Sequence, residues 1–467
     1  MEFLAKMKNK HKGLKIIIVG CGKVGQTLVE RLCAEQHDVT VIDQRQEIVA
    51  DIGSAYDIGS IVGNGASIRT LQEAGIDQAD LLIAVTGSDE LNLLCCVIAK
   101  RGSSCEVIAR VRNPEYSSEA GYLKSQLGLA RIINPELETA REISHVLSLP
   151  TAVSVSTFAR GQVEMIQIKL PKHTSLHSKR IMDIGDPLSG AVLICAVERD
   201  DRVYIPNGSF VLREGDLVSF ISPTRDAKTF LKKIGFETNQ VQNTLIVGGG
   251  KLAYYLAQRL LREGIEVTII ERDRQKCENL SLALPKANII CGDGTKVELL
   301  MEAGMEQSEA FVTLTGIDEE NIMLSLHAKQ VSDAKTVTKI NRTNFDKVID
   351  NLNLDSVVYP RYITADSIVA FVRAKVASRK SSAIKTLVQF YDNRVEALEF
   401  VIEEHSSITY IPLYRLKFKP NLLIACINRG GKIIIPSGSD MMMPGDSVIV
   451  ITANSRYKEL TDILERN

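Results

Sequence analysis

The chain alternates short, continuous apolar runs with stretches in which apolar residues recur at helical spacing. Four runs rich in Ile, Leu, Val and Ala lie in the first quarter of the sequence: Lys15–Val19, Val39–Ile42, Leu81–Val85 and Val107–Val111. Runs of this length are typical of strands that are buried on both faces of a sheet. After the first run, Leu28, Val29 and Leu32 have the spacing of a helix. This alternation predicts a parallel sheet with right-handed helical crossovers.

The same pattern begins again about 230 residues later, which is the signature of an internal repeat. Val19–Gly25 (VGCGKVG) aligns with Val247–Ala253 (VGGGKLA). Three further pairs of segments align at nearly the same spacing: His37–Arg45 with Ile265–Asp273, Gly63–Ser67 with Gly292–Lys296, and Ala79–Asn92 with Ser308–Asn321. Because the spacing persists over several motifs, we interpret the chain as one unit written twice.

The second part of each unit has a different pattern. Ala196–Ser222 aligns with Cys426–Thr452. Val163–Leu170 and Glu396–Ile402 alternate apolar and polar residues, as strands with one exposed face do. The segments RDD and RGG, at 199–201 and 429–431, resemble hairpin turns, and EGD and PGD resemble turns that open another strand. This part therefore predicts a small module of mixed helices and strands.

The predicted fold class is α/β, with two Rossmann-like domains that are each followed by a small α+β domain in a tandem duplication. The expected domains are 14–135 and 242–360 for the Rossmann-like type, and 150–236 and 384–467 for the small type. Pro135 and Pro360 occupy matching places, and helical patterns follow them at Glu136–Leu149 and Thr364–Val376.

Composition narrows the class of protein. The chain has 467 residues and a formal net charge of −1, and this near-neutral balance argues against a nucleic-acid partner. The nine cysteines form no CxxC pair, which suits buried thiols in a reducing cytosol. No apolar run approaches the length that crosses a bilayer, and residues 1–13 lack the apolar centre of a signal peptide. We therefore expect a soluble cytoplasmic protein.

The chemistry of the chain is concentrated in its glycine motifs. Gly20-x-Gly22-x-x-Gly25 follows a strand and opens a helix, and Asp43 ends the next strand. Gly20 permits the tight turn, Gly22 lets the backbone approach a pyrophosphate, and Gly25 lets helix and strand pack closely. The helix N-terminus favours a phosphate, and Asp43 can accept both ribose hydroxyls of an adenosine while repelling a 2′-phosphate. This context predicts a nucleotide site.

The second copy carries the same elements with substitutions. Its motif is Gly248-x-Gly250-x-x-Ala253, and Glu271 is the acid. Asp273 stands where the first copy has Arg45, so the two sites need not prefer the same nucleotide.

Other candidates end later strands, where open α/β sheets bind their ligands. Thr86-Gly87 and Thr315-Gly316 end the fourth strand of each copy and could meet ribose or phosphate, although a plain turn is a comparable interpretation. Arg110 and Lys339 end the fifth strand of each copy. Each could be a cation that neutralises a phosphate, or a surface charge without a ligand. Asn64 and Asp293 suit the geometry of turns.

These motifs carry a resemblance to a known family. The run from VGCGKVG through VTVIDQR and GNGAS to ADLLIAVTGSDELN and IARV resembles the nucleotide-binding domain that regulates potassium conductance, called RCK or KTN. The strand-rich module resembles the RCK C-terminal domain. Two such pairs in tandem resemble the family of peripheral regulatory subunits of Trk potassium-uptake systems.

The resemblance implies a non-enzymatic protein that gates an integral membrane potassium transporter from the inner face of the cell membrane. It implies a homo-oligomeric ring of two or four chains, with NAD(H), and ATP or ADP, as ligands. The implied site residues of the first copy are Gly20, Cys21, Gly22, Lys23, Val24, Asp43, Thr86, Gly87 and Arg110. Those of the second copy are Gly248, Gly249, Gly250, Lys251, Leu252, Glu271 and Thr315. Ala253, and Asn64 in place of the usual Asp, depart from the family pattern.

Two other classes of function compete with this interpretation. An NAD-dependent oxidoreductase with duplicated Rossmann domains needs an acid, base or polarising group against the nicotinamide. None of the seven histidines recurs at matching positions of both units, and Pro171 makes a metal pair from His173 and His177 improbable in its loop-like context. A purely structural scaffold would not need an intact glycine turn with its acid. No catalytic or metal-binding residues are predicted.

Overall fold

The computed structural model describes residues 13–171, 174–184, 192–236, 238–341, 348–349, 351–352, 354–377, 382–391, 393–402, 407–453 and 457–465. Of the N-terminal residues 1–13 only Gly13 is described, so His11 lies outside these residues, as do His173 and His405. By its contacts the chain divides into two compact units, Met1–Glu138 with Pro360–Val369, and Thr139–Tyr359 with Ala370–Asn467. Among the described helices, none has the length and apolar character needed to cross a membrane.

The first unit contains a six-stranded parallel sheet. Its strands are β1 (Lys15–Val19), β2 (Asp38–Asp43), β3 (Gly59–Val62), β4 (Leu81–Ala84), β5 (Glu106–Arg110) and β6 (Arg131–Ile133). Its helices are α1 (Lys23–Ala34), α2 (Gln46–Ala55), α3 (Ile68–Glu73), α4 (Asp89–Gly102), α5 (Pro114–Ser118) and α6 (Ala120–Gln126), and α7 (Pro135–Ser148) begins where the sheet ends. The strand order β3-β2-β1-β4-β5-β6 reverses between β1 and β4, which opens a crevice at the carboxyl ends of these two strands.

The second unit contains two small antiparallel sheets and a second parallel one. The first small sheet has β7 (Ser154–Phe158), β8 (Val163–Lys169), β9 (Leu193–Arg199), β10 (Arg202–Tyr204) and β11 (Leu217–Pro223), followed by α8 (Thr224–Lys233). The parallel sheet has β12 (Asn243–Val247), β13 (Glu266–Glu271), β14 (Asn288–Cys291), β15 (Ala310–Thr313), β16 (Lys335–Lys339) and β17 (Ser356–Val358). Its order, β14-β13-β12-β15-β16-β17, repeats that of the first parallel sheet.

The remaining elements complete the duplication. The helices of the second parallel sheet are α9 (Lys251–Arg262), α10 (Arg274–Ala283), α11 (Val297–Glu302) and α12 (Asp318–Val331), and α13 (Pro360–Ala377) follows. The last sheet has β18 (Ser382–Phe390), β19 (Val395–Ile402), β20 (Leu422–Arg429), β21 (Lys432–Ile434) and β22 (Ser447–Thr452). The predicted fold class, two Rossmann-like sheets that are each followed by a small antiparallel sheet, is confirmed. The four domain boundaries stay a prediction.

Hydrophobic burial explains why the parallel strands form. Every residue of β4 is buried, and so are the last four residues of β1 and of β12. Helices on both faces cover these strands, so continuous apolar runs are favoured over alternating ones. The predicted runs Leu81–Val85 and Val107–Val111 each extend one residue past the observed strand, since the last residue turns into the loop.

The predicted hairpin turns of the small modules are confirmed. Asp200 and Asp201 have φ of 50° and 57°, and Gly430 and Gly431 have φ of 58° and 91°. Two consecutive residues of positive φ make the tight turn whose twist suits an antiparallel hairpin. Glycine adopts these angles without strain, whereas the aspartates adopt them because a short polar side chain tolerates the left-handed region.

The prediction that β8 and β19 each have one exposed face is wrong. The polar residues of these strands, Glu164, Gln167, Glu396 and Glu399, are buried together with their apolar neighbours. Glu399 accepts hydrogen bonds from Thr386 Oγ1 at 2.8 Å and Ser447 Oγ at 2.7 Å. The alternation therefore distinguishes an apolar face from a face of buried polar contacts, and sequence periodicity alone cannot separate this case from exposure.

The two small sheets share one hydrophobic core inside the second unit. Phe158 and Met165 of the first module pack in the same cluster as Val395 and Ile449 of the second. Tyr391 of the second module enters the first, where its hydroxyl lies 2.7 Å from Ser219 Oγ and donates to Leu217 O at 3.0 Å. The modules therefore form an intramolecular pair.

The helices that follow the parallel sheets each pack on the helix opened by the other glycine motif. In the first unit, Arg31 of α1 pairs with Asp366 of α13. In the second unit, Arg259 Nε of α9 donates to Ser144 Oγ of α7 at 2.9 Å, and Ser144 donates to Glu263. The predicted helices after Pro135 and Pro360 are confirmed, and each begins at the proline itself.

A buried ion pair fixes α13 to β19 and provides a test of the fold. Arg373 Nη1 and Nη2 lie 2.9 and 3.0 Å from the two Glu396 oxygens, with both side chains 2% exposed. Arg373→Met should destabilise the chain by about 3–5 kcal/mol, because it leaves a buried carboxylate without its counter-ion. Urea unfolding followed by circular dichroism measures the change.

Arg69→Met is the matched control, since it breaks the exposed Arg69–Glu73 pair and should change stability by less than about 1 kcal/mol. Similar urea midpoints for the two variants would contradict the structural importance of the buried pair.

Candidate nucleotide-binding sites

The glycine motifs lie in the crevices where strand order reverses. Gly20 follows β1 with φ of +100°, and Gly248 follows β12 with φ of +103°. A Cβ at Gly20 would come within 2.8 Å of Thr86 N, and one at Gly248 within 2.9 Å of Thr315 N. Only glycine satisfies both the positive φ and this approach to the turn after the fourth strand.

The middle glycines face open space. A Cβ at Gly22 or at Gly250 would meet no atom within 4 Å, and both residues have extended backbones as the N-caps of α1 and α9. Neither helix has a side-chain cap. The backbone N–H groups of the first turn therefore face a space that can hold an anion.

The third position of the motif sets the packing of helix on strand. A Cβ at Gly25 would lie 2.0 Å from Gly20 O, which agrees with the role predicted for this glycine. Ala253 holds the equivalent position in the second copy and is fully buried.

In the first copy, Asp43 ties the glycine turn to β2. Its Oδ2 accepts Cys21 N at 2.7 Å, and its Oδ1 accepts Arg45 N at 3.0 Å. The Arg45 guanidinium also binds both oxygens, with Nε at 3.0 Å and Nη2 at 3.1 Å. Burial opposes ionisation of Asp43, but Arg45 and the two backbone N–H groups outweigh it and lower the pKa of this carboxyl below its usual value.

In the second copy, Glu271 makes the same backbone bonds. Its Oε2 accepts Gly249 N at 2.8 Å, and its Oε1 accepts Asp273 N at 2.9 Å. Asp273 instead caps α10, since its Oδ1 accepts Lys276 N at 3.1 Å. The longer Glu side chain thus reproduces the contacts of Asp43 without the guanidinium.

The turn after the fourth strand is organised by a buried asparagine that the sequence analysis did not single out. Asn92 Oδ1 accepts Thr86 N at 2.8 Å and Thr86 Oγ1 at 2.7 Å, while its Nδ2 donates to Arg110 O at 2.9 Å. Asn321 makes matching contacts with Thr315 N and Lys339 O, both at 2.9 Å. The two aligned segments both end in asparagine, so the repeat contained the signal.

The remaining predicted residues surround these turns. Arg110 Nη2 donates to Thr86 O at 2.6 Å, and Lys339 Nζ donates to Leu314 O at 2.9 Å. Burial, together with nearby Arg112, lowers the pKa of Arg110. Lys23, Lys251 and Gly87 are exposed, whereas Cys21, Val24 and Leu252 are buried under the turns.

Asn64 and Asp293 serve turn geometry. Asn64 Oδ1 accepts Ala66 N, and Asp293 Oδ1 accepts Thr295 N, both at 3.0 Å. Each is a side chain that bonds the backbone two residues on.

The chemistry of the crevices suits binding. Burial and the nearby Asp43 raise the pKa of the Cys21 thiol to about 12, so it is a poor nucleophile at neutral pH. His37 precedes β2, at the sheet edge opposite the glycine turn. Among the described residues no group of three or more His, Cys, Asp or Glu side chains is placed to hold a metal ion.

Comparisons with known proteins match the whole arrangement. The family model of the TrkA-N domain matches residues 16–135 and 244–360, and that of the TrkA-C domain matches residues 165–235 and 397–465. The Trk system potassium uptake protein TrkA homolog of Archaeoglobus fulgidus is 31% identical over 453 residues, covering 96% of this chain and 100% of its own. Homolog 1 of Methanosarcina mazei is 30% identical over 455 residues, covering 96% and 99%. TrkA of Vibrio alginolyticus is 28% identical over 448 residues, covering 95% and 97%.

Solved structures share the fold. The GsuK RCK domain superposes with a TM-score of 0.64 at 18% identity, covering 95% of this chain and 93% of its own. The GsuK channel bound to NAD gives 0.62 at 17% identity, covering 96% and 80%.

The geometry of the first glycine turn generates a test by substitution. Gly20→Ala should destabilise the chain by about 1–3 kcal/mol, because alanine is strained at positive φ and its methyl would meet the backbone of Thr86. Gly22→Ser should change stability by less than about 0.5 kcal/mol, since the space is open and serine is a good N-cap. Differential scanning calorimetry of both variants measures this contrast, and equal melting temperatures would refute the described turn.

Proposed function

Because this chain belongs to the TrkA family, with two TrkA-N and two TrkA-C domains in tandem, we propose that it is a nucleotide-binding regulatory subunit that gates a potassium-uptake membrane protein. The observation that supports this most directly is the pair of glycine turns, each facing open space at a helix N-terminus and each bound to an acid at the end of the next strand. Such a cradle suits the phosphates and ribose of an adenine nucleotide.

The proposed ligands are NAD(H), and ATP or ADP. The backbone amides at the N-termini of α1 and α9 would receive the phosphates, because Cys21 N and Gly249 N are already bound to Asp43 and Glu271. The two acids would accept ribose hydroxyls. Thr86, Gly87 and Arg110 would border the first ligand, with Lys23 and Val24 at the helix mouth. In the second site the corresponding residues are Lys251, Leu252 and Thr315. Solved structures of GsuK hold NAD in one case and ADP in another, which supports this class of ligand.

Gating requires that ligand binding favours one conformation of the protein. In the second unit a chain of contacts leads away from the site. Gly250 opens α9, Arg259 of α9 binds Ser144 of α7, and His145 Nδ1 lies 3.7 Å from Glu164 of β8. A shift of α9 on nucleotide binding would reach the first small module by this route. Coupling of about 1–3 kcal/mol would be typical and must be reciprocal between nucleotide and membrane partner.

We further infer that the protein is not an enzyme. A hydride-transfer site needs an acid, base or polarising group against the nicotinamide. The described crevice offers a thiol with a raised pKa, and its turn hydroxyl, Thr86 Oγ1, is already bonded to Asn92. Binding without turnover is the function that these groups support.

The proposed site of action is the inner face of the cell membrane, where the chain would be a cytoplasmic peripheral subunit of a Trk-type transporter. Assembly with further copies of itself, as a ring of two or four chains, is supported by exposed apolar residues that recur at equivalent positions of the two copies. Ile68 and Val297 are each 46% exposed, while Leu94 and Met323 are 49% and 66% exposed. Repetition of an apolar pair on both Rossmann-like domains suits a surface used in self-association.

Single-site variants test nucleotide binding. Gly22→Asp and Gly250→Asp place a carboxylate in the open phosphate space without a clash, so each should abolish binding at its own site and leave the melting temperature nearly unchanged. Isothermal titration calorimetry with NAD⁺ and ATP gives the number of sites. The double variant should bind neither nucleotide, and in proteoliposomes with the transporter it should no longer make potassium flux respond to nucleotide. Unaltered stoichiometry in both single variants would show that the sites lie elsewhere.

Charge substitution tests self-association. Leu94→Glu with Met323→Glu should dissociate rings into smaller species, because it places four or more like charges per assembly on the proposed apolar contact. Light scattering after gel filtration measures the mass. Tyr122→Glu, at an exposed tyrosine outside the proposed contact, is the matched control and should leave the mass unchanged. An unaltered mass in the double variant would remove this surface from the assembly.

A further inference from the structure

The two candidate sites differ at the position that would meet the adenosine ribose. A carboxylate oxygen can accept two hydrogen bonds in its plane. At the second site the described contacts give each Glu271 oxygen one backbone donor, Gly249 N or Asp273 N, which leaves one acceptor direction on each oxygen for a ribose hydroxyl. This is the arrangement that binds a ribose diol.

At the first site those acceptor directions are already used. Each Asp43 oxygen has its backbone donor, Cys21 N or Arg45 N, and each also accepts one N–H of the Arg45 guanidinium. The result is a bidentate pair, the strongest geometry between arginine and a carboxylate. A ribose diol and the Arg45 side chain therefore compete for the same two oxygens.

The charges around the two ribose positions differ as well. The first site combines Asp43 with the Arg45 cation, and the turn after β3 carries the neutral Asn64. The second site combines Glu271 with Asp273, and the corresponding turn carries Asp293, whose pKa is lowered by its hydrogen bonds to Thr295. Lys296 and Arg272 offset part of this charge through their attraction to Asp293. The second site therefore keeps an excess of negative charge around its ribose position, whereas at the first site Arg45 balances Asp43.

The Arg45 side chain is accessible to a ligand because it is 59% exposed, while Asp43 is buried. Five N–H donors let one guanidinium contact a carboxylate and a phosphate together. A ligand that competes with an ion pair whose arginine is this exposed should bind about two- to fivefold more weakly.

We propose that Arg45 determines the nucleotide specificity of the first site, which accepts an adenosine dinucleotide with a 2′-phosphate, whereas the second site excludes it and takes only the 2′-hydroxyl form. This proposal rests on the proposed function, since it requires that both crevices bind nucleotide. It also revises the expectation that the acid of the first site repels a 2′-phosphate, because the acid there is held by a cation. One chain would thus bind two different dinucleotides, one at each copy of the same fold.

The experiment uses the full chain with one site closed. The Gly250→Asp variant reports the first site, and the Gly22→Asp variant reports the second. Titration calorimetry with NAD⁺ and with NADP⁺ gives the ratio of dissociation constants at each site. The dissociation constant for NAD⁺ divided by that for NADP⁺ should be at least about tenfold larger at the first site than at the second. This is the effect expected of one charge-assisted contact.

Arg45→Ala in the Gly250→Asp background identifies the cause. It should tighten NAD⁺ about two- to fivefold, because the competing ion pair is gone, and weaken NADP⁺ about tenfold, because the phosphate loses its partner. Asp273→Arg in the Gly22→Asp background should shift the second site in the opposite direction, toward NADP⁺. Arg69→Ala, at an exposed arginine on α3, is the control for loss of a surface charge and should leave both constants unchanged.

The outcomes separate the two claims. If NAD⁺, NADP⁺ and ATP all fail to bind to either single-site variant, the proposed nucleotide function itself fails. If nucleotides bind but the two sites show equal ratios, or Arg45→Ala changes neither constant, the nucleotide function stands and the role of Arg45 is refuted. A reversal of preference by the Arg45 and Asp273 substitutions supports the proposal.

Discussion

The structure depends on one short contact that occurs in both copies, a backbone N–H of the glycine turn bound to the acid that ends the next strand. Cys21 N lies 2.7 Å from Asp43, and Gly249 N lies 2.8 Å from Glu271. The contact ties the glycine turn to the neighbouring strand, and it holds the carboxyl group beside the crevice. A single hydrogen bond thereby shapes the proposed phosphate space and positions the proposed ribose acceptor.

The duplication was the most informative feature of the sequence. Continuous apolar runs such as Leu81–Val85 predict buried parallel strands because helices cover both faces, and the structure places β4 there. The hairpin turns could also be predicted from the sequence, since Gly430 and Gly431 adopt the positive φ that a tight hairpin needs. Local chemistry dictates these elements, so the sequence alone specifies them.

Other features depend on residues far apart in the chain. Glu396 and Glu399 alternate with apolar residues in the way that an exposed face does, yet both are buried against partners from other elements. The role of Asn92 depends on its reach to Arg110 O, and the engagement of Asp43 by Arg45 depends on a rotamer. Periodicity contains no information on such contacts, so the site could be located from sequence but its electrostatics could not.

The shared core of the two small modules has a consequence for how the protein assembles. Tyr391 reaches from one module into the other, and both modules belong to the same polypeptide. Tethering turns what would be a bimolecular encounter into a unimolecular one with a high effective concentration. Dilution therefore cannot separate this pair. Because the two halves of the pair are separate segments of one chain, equivalent positions can hold different residues. Tyr391 follows Phe390 at the place where the first module has Ala159 after Phe158, and only the tyrosine supplies a hydroxyl to its partner.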